Sequence, residues 1–111
     1  MTVLYIAGPM SGIEEYNYPA FRAAADDLRA AGYEVLNPVD IDHDDTEPGA
    51  QPWEWYMRRT LKMLLDADAV AVLPGWAMSR GADIEVNLAT SIGMPYQSVR
   101  AWVRKSQARD A

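Results

Sequence analysis

Glu85 is the residue whose type and setting most directly suggest chemistry. The segment from Ser79 to Gly93, SRGADIEVNLATSIG, reads as a helix, with Ser79 as its N-cap and Gly93 followed by Pro95 as its stop. At about 100° per residue, Ile84, Leu88, Ile92 and Ala89 form one apolar arc, and Glu85 projects between Ile92 and Ala89. A carboxylate there is either desolvated or lines a cavity. A buried unpaired carboxylate costs several kcal/mol, so the expectation is that the chain uses it in a site or pairs it. Asp83 falls outside the arc and reads as a solvated first-turn acid that favours the helix dipole.

Two loops lead towards this carboxylate. The first, GPMSGIEEYNY, runs to about ten residues where strand-to-helix connections are commonly 2 to 6, and excess length of that kind tends to be functional. Gly8 and Gly12 permit close backbone approach across Pro9, Met10 and Ser11, and Ser11 with the amides around it suits an anion. The loop is neither a Walker loop nor a GxGxxG fingerprint. The second, PGWAMSR, puts Ser79 and the amide of Gly81 at the positive end of the Glu85 helix, where an anion is also favoured. Glu85 lies about 9 Å further along the axis at 1.5 Å per residue, roughly the reach from phosphate to anomeric carbon in a nucleotide. Trp76 is placed either to stack on a base or to pack on the core.

The elements that must position these residues alternate. Val3 to Ala7 is a short, wholly apolar run that reads as a strand buried on both faces, hence part of a parallel sheet. Pro19 opens a helix whose stripe is Phe21, Ala24, Ala25, Leu28 and Ala31, ending at Gly32; Tyr33 to Leu36 is the second strand. Pro52 opens a helix with the stripe Trp53, Met57, Leu61 and Leu64, and Ala69 to Leu73 is a third buried strand. The Glu85 helix follows, then a strand around Tyr96 to Val99 and a basic helix from Arg100 to Arg109. This order predicts a three-layer α/β sandwich with a small parallel sheet of four to five strands, and ligands then bind beyond the carboxyl ends of the strands, where both loops begin.

The chain has 111 residues and is expected to form one domain over 1–111. Ten Lys and Arg against sixteen Asp and Glu give a net charge of -6, which opposes the basic footprint of a binder of polymeric nucleic acid. The absence of cysteine excludes disulfides and thiol chemistry, and the N-terminal apolar run is too short to span a bilayer, so a cytoplasmic protein without membrane contact is expected. The acidic stretch from Asp40 to Glu47 matches no EF-hand and reads as a solvated loop; with His43 the only histidine, neither a metal site nor a cofactor is expected. Trp53, Trp55 and Tyr56 exceed what one stripe buries and read as a subunit contact, while Arg100, Arg104, Lys105 and Arg109 read as a solvated helix face around Trp102.

YIAGPMSG at the N-terminus, FRAAADDLRAAGYEVLNP over residues 21–38, DADAVAVLPGW, and SRGADIEVNLATSIGMP together resemble the nucleoside 2-deoxyribosyltransferase superfamily, in particular its small phage- and bacteria-type members. The resemblance covers roughly residues 3 to 99. It implies a flavodoxin-like sheet, a homo-oligomer, and cleavage of N-glycosidic bonds in a small-molecule nucleoside or nucleotide. Residue by residue, it implies that Glu85 is the nucleophile that captures the anomeric carbon and that Tyr5 orients it by a hydrogen bond. The stretch Gly8 to Gly12 matches the sugar and phosphate loop, and Ser79 matches a serine that holds a 5'-phosphate in the monophosphate hydrolases, which favours a nucleotide.

One position departs. Eight residues before the aspartate matching Asp68, many relatives carry a second aspartate; this chain has Thr60, so the acid/base half of the implied mechanism has no residue assigned. The glycine loop also lacks the hydrolases' arginine, leaving Arg58, Arg59 and Arg80 as available cations. The expected function is therefore N-glycosidic cleavage of a nucleoside 5'-monophosphate or nucleoside, by hydrolysis or deoxyribosyl transfer. The alternatives are a nucleotide-binding protein weak in catalysis, or a hydrolase of another N-glycoside such as NAD or ADP-ribose.

Overall fold

The computed structural model describes residues 1–43 and 51–110. The part of the acidic loop that holds Asp44, Asp45 and Glu47 lies outside the described residues. Four strands, β1 (Val3–Ala7), β2 (Glu34–Leu36), β3 (Ala69–Val72) and β4 (Tyr96–Ser98), form one sheet in the order β2-β1-β3-β4, every pair parallel. Four helices alternate with them: α1 (Tyr18–Ala30), α2 (Trp53–Leu64), α3 (Arg80–Ser91) and α4 (Val99–Asp110). The flavodoxin-like α/β architecture expected from the sequence is present, with four strands.

Alternation along β1 divides the interior. Leu4 and Ile6 point into a cluster with Phe21, Ala25 and Leu28 of α1 and Trp102 of α4. Tyr5 and Ala7 point the other way, among Leu64 of α2 and Ala82, Val86 and Ala89 of α3. Both clusters are buried, which is why β1 and β3 read as unbroken apolar runs rather than alternating ones.

Two expectations are corrected. In α3 the buried arc is Ala82, Glu85, Val86 and Ala89, whereas Ile84 and Ile92 are 36% and 52% exposed. Two arcs of this helix contain apolar residues; the one with alanines admits close approach to the sheet and wins, and Glu85 belongs to it. Trp102 is buried: its indole N–H donates to the Val70 carbonyl at 2.9 Å, and the Tyr33 hydroxyl donates to its carbonyl at 2.7 Å. The basic residues Arg100, Arg104 and Lys105 are exposed, as expected. Pro52 opens α2 as its N-cap, as expected. Among the described residues, no helix is long and apolar enough to cross a membrane.

Candidate active site

The loops after β1 and β3 meet above the carboxyl ends of those two central strands. The Leu73 amide donates to the Ala7 carbonyl at 2.9 Å. A Cβ on Gly8 would stand 2.8 Å from Leu73, so only glycine lets the first loop leave the sheet this close to the second. The first loop is then held by Asn17, whose amide donates to the Pro9 carbonyl at 3.0 Å. Its end carries three consecutive non-glycine residues in the left-handed region, Glu15, Tyr16 and Asn17, at φ of 55°, 53° and 61°. That conformation is uncommon for residues with a side chain. It turns the chain into α1 with Tyr16 on the wall of a cleft of about 490 Å³.

Glu85 lies on the floor of this cleft, 5% exposed, and the Tyr5 hydroxyl donates to its Oε2 at 2.5 Å. Tyr5 reaches it from the strand because β1 side chains alternate, and Glu85 reaches it from the first turns of α3. Thr60, buried on α2, completes the floor; its hydroxyl donates to the Met57 carbonyl at 3.2 Å. Burial pushes the Glu85 carboxyl up to about 7, against the Tyr5 and Thr60 hydroxyls, which favour the charged form. The Tyr5 phenol is pushed well above its ordinary value, first by burial and then by the charge and hydrogen bond of Glu85. A carboxylate near half ionisation at neutral pH, aimed by a phenol and walled off from bulk water, suits attack on an electrophilic carbon or abstraction of a proton.

Ser79 and Gly81 line the cleft where α3 begins. The Ser79 hydroxyl oxygen accepts from the Ala82 amide at 3.3 Å, capping the helix and leaving its own proton to donate. Arg80, between them, lays its guanidinium over the Trp53 ring at 4.1 Å, and both groups line the cleft. Gly8, Pro9, Met10 and Ser11 form the opposite rim. The structure thus brings together Tyr5, Glu85, these four loop residues, Ser79 and Gly81.

It does not bring in two others. Gly12 sits in a turn at φ of 79° away from the lining, and Trp76 packs edge-on against Tyr96 with ring centroids 5.3 Å apart, on the α2/α3 side of the core. Packing on the core was one of the two readings open for Trp76. Conversely, Trp53 and Tyr56 belong to the cleft wall, along with Tyr18 and Phe21 of α1 and Met57. The signal for α2 was in the spacing: Trp53, Tyr56, Met57 and Thr60 fall at i, i+3, i+4 and i+7, one helical face. Among the described residues, no group of three or more acidic or histidine side chains is placed to hold a metal ion.

The chain shares its fold with solved structures. A 2-deoxyribosyltransferase from the psychrotolerant bacterium Bacillus psychrosaccharolyticus matches with a TM-score of 0.64 at 20% identity, over 85% of this chain and 69% of that one. A conserved protein from Enterococcus faecalis V583 matches with a TM-score of 0.65 at 19% identity, over 86% of this chain; the match spans 61% of that protein's length. At such identities the likeness is one of fold, and it is the fold that the sequence resemblance implied. No curated protein matches the chain. Residues 2–97 match the family described as a domain of unknown function, DUF4406, and the chain belongs to that family.

Proposed function

We propose that the protein cleaves the N-glycosidic bond of a nucleoside or nucleoside 5'-monophosphate, with Glu85 as the nucleophile. The observation that carries the reading is the buried Tyr5–Glu85 pair on the floor of a cleft at the carboxyl ends of β1 and β3. Breaking a C1'–N bond builds positive charge on the sugar ring, and a sheltered carboxylate stabilises that charge far better than one in water. Tyr5 engages Oε2, leaving Oε1 as the attacking atom. Attack forms a glycosyl ester and releases the base; water then hydrolyses the ester, or a second base accepts the sugar. The fold shared with a 2-deoxyribosyltransferase supports the same class of reaction.

The start of α3 serves the other end of the substrate in this reading. The Ser79 hydroxyl, the Gly81 amide and the Arg80 guanidinium would take a 5'-phosphate, with Arg80 standing in for a loop arginine. The reading is tested by incubating the protein with deoxynucleoside and nucleoside 5'-monophosphates and following free base by chromatography. Release by the wild type and its loss in Glu85→Gln are expected. Equal release by both proteins would remove Glu85 from the mechanism.

A further inference from the structure

Thr60 is a buried hydroxyl whose nearest partners lie in its own helix. It donates to the Met57 carbonyl at 3.2 Å and lies 3.9 Å from the Met57 sulfur, three residues back along α2. A back-bond of that kind is open to any helical threonine and needs no particular neighbour. It leaves unexplained why a hydroxyl, 8% exposed, sits on the floor of the cleft, where a valine of nearly the same shape would bring no polar atom to satisfy.

The packing of α2 on α3 brings it level with Glu85. Met57 lies against the first turn of α3, where a Cβ on Gly81 would stand 3.1 Å from its sulfur. One turn on, three residues along α2 and four along α3, come Thr60 and Glu85, both on the cleft floor with Tyr5. A further turn brings Leu64 and Ala89, which share one buried cluster. Residues three and four apart keep to one helical face, so the two helices stay turned to each other through all three steps. The middle step is the polar one. There the Thr60 and Tyr5 hydroxyls both favour the charged carboxylate against burial, and the Thr60 hydroxyl bears on the Tyr5 phenol as well. Among the described residues, the other titratable or charged groups that line the cleft are Tyr16 and Tyr18 at the entry to α1, Tyr56 of α2 and Arg80 of α3, and none of them shifts Glu85.

We propose that Thr60 is a positioning residue for Glu85, its hydroxyl proton resting on the Met57 carbonyl while the carboxyl is neutral and turning to the carboxylate when Glu85 carries charge. A hydroxyl proton rotates about its C–O bond to suit its partners, so the exchange needs no movement of the helix. A hydrogen bond to an ionised group is stronger than one to a neutral carbonyl, which gives the turn its direction. With Tyr5, Thr60 then holds the carboxylate from two elements, β1 and α2, on a third, α3. Its catalytic consequence rests on the reading of Glu85 as a glycosidic nucleophile: a carboxylate held at two points stays aimed at C1'. Its effect on the titration of Glu85 stands apart from that reading.

The test follows the Glu85 carboxyl itself, by carbon-13 NMR of protein labelled at the glutamate Cδ, with Glu85→Gln assigning the signal. Thr60→Val removes the hydroxyl and keeps the shape, so the Glu85 midpoint should rise by about one pH unit from its wild-type position. Thr60→Ser keeps the hydroxyl and should titrate within about 0.3 pH units of wild type. The rising limb of base release should move with the midpoint in Thr60→Val. An unmoved midpoint in Thr60→Val overturns the inference and leaves the nucleophile reading standing. A serine variant displaced as far as the valine one also overturns it, by assigning Thr60 to packing. A displaced valine midpoint with serine rescue, in a protein that releases no base, upholds the positioning role and removes the glycosidic reading.

Discussion

The two faces of the sheet use the same strands for opposite ends. On the α1/α4 face, Leu4 and Ile6 meet Phe21, Leu28 and Trp102, and the polar groups that enter, the Tyr33 hydroxyl and the Trp102 indole, each find a backbone carbonyl. On the α2/α3 face, one residue along β1, Tyr5 meets a carboxylate, and packing stops at a cleft. The difference teaches where stability is being spent. A face whose Tyr33 and Trp102 polar groups are paired holds the sheet, and the opposite face keeps a titrating group away from water.

The comparison breaks most sharply at Glu85. Glu85→Ala should lower base release by roughly a thousandfold or more, as expected when a covalent nucleophile is lost, while circular dichroism shows a folded protein. A fall of less than about tenfold would mean that the cleft's carboxylate is not the reacting group. The mirror experiment is Trp102→Ala on the other face. It removes a buried indole and should cost about 3–5 kcal/mol in a urea titration, with kcat of the folded fraction little changed.

A third measurement sharpens the cost of the charge. The native carboxyl titrates near 7, against 4.5 in the unfolded chain, so the native state holds the proton more tightly between those values. Stability should therefore be full below about 4.5 and fall as pH rises through 7, by roughly 3 kcal/mol at 1.36 kcal/mol per unit. Glu85→Gln abolishes the titration and should leave the variant more stable than wild type at pH 8, with the gain shrinking towards pH 5. A constant difference across that range would contradict a buried, titrating acid. Activity should run the other way, rising with pH through about 7 as the nucleophile ionises.

The smallest effect is expected at Tyr5→Phe. Removing the phenol takes away a hydrogen bond that favours the ionised carboxylate, so the rising limb of the pH profile should move to higher pH, with release at pH 7 lowered about tenfold. An unmoved limb would assign Tyr5 to packing alone.

Much of this division was legible in the residues. The apolar runs VLYIA and AVAV announced strands covered on both sides, and Glu85 was conspicuous because its helix was otherwise suited to burial. The rotation of α3 was not legible, because Ile84, Leu88 and Ile92 make as good an arc by periodicity as Ala82, Val86 and Ala89. Only the space above the sheet decides between them. Trp102 was hidden for a related reason. Its neighbours Arg100, Arg104 and Lys105 suggest a wetted helix, and the short inward face at i, i+3, i+4 and i+7, Val99, Trp102, Val103 and Ser106, is outweighed by them in composition. The cleft wall on α2 was written at i, i+3, i+4 and i+7, yet the same aromatic residues suit an interface equally well, and composition does not separate the two.

The outer strands β2 and β4 have three residues each, and β4 passes directly into α4. An unpaired ladder that short offers few N–H and C=O groups to a foreign strand, so fibril-like templating along the sheet margin finds little purchase. Self-association written in side chains on helices and loops would be open to tuning by single substitutions that leave the strands untouched.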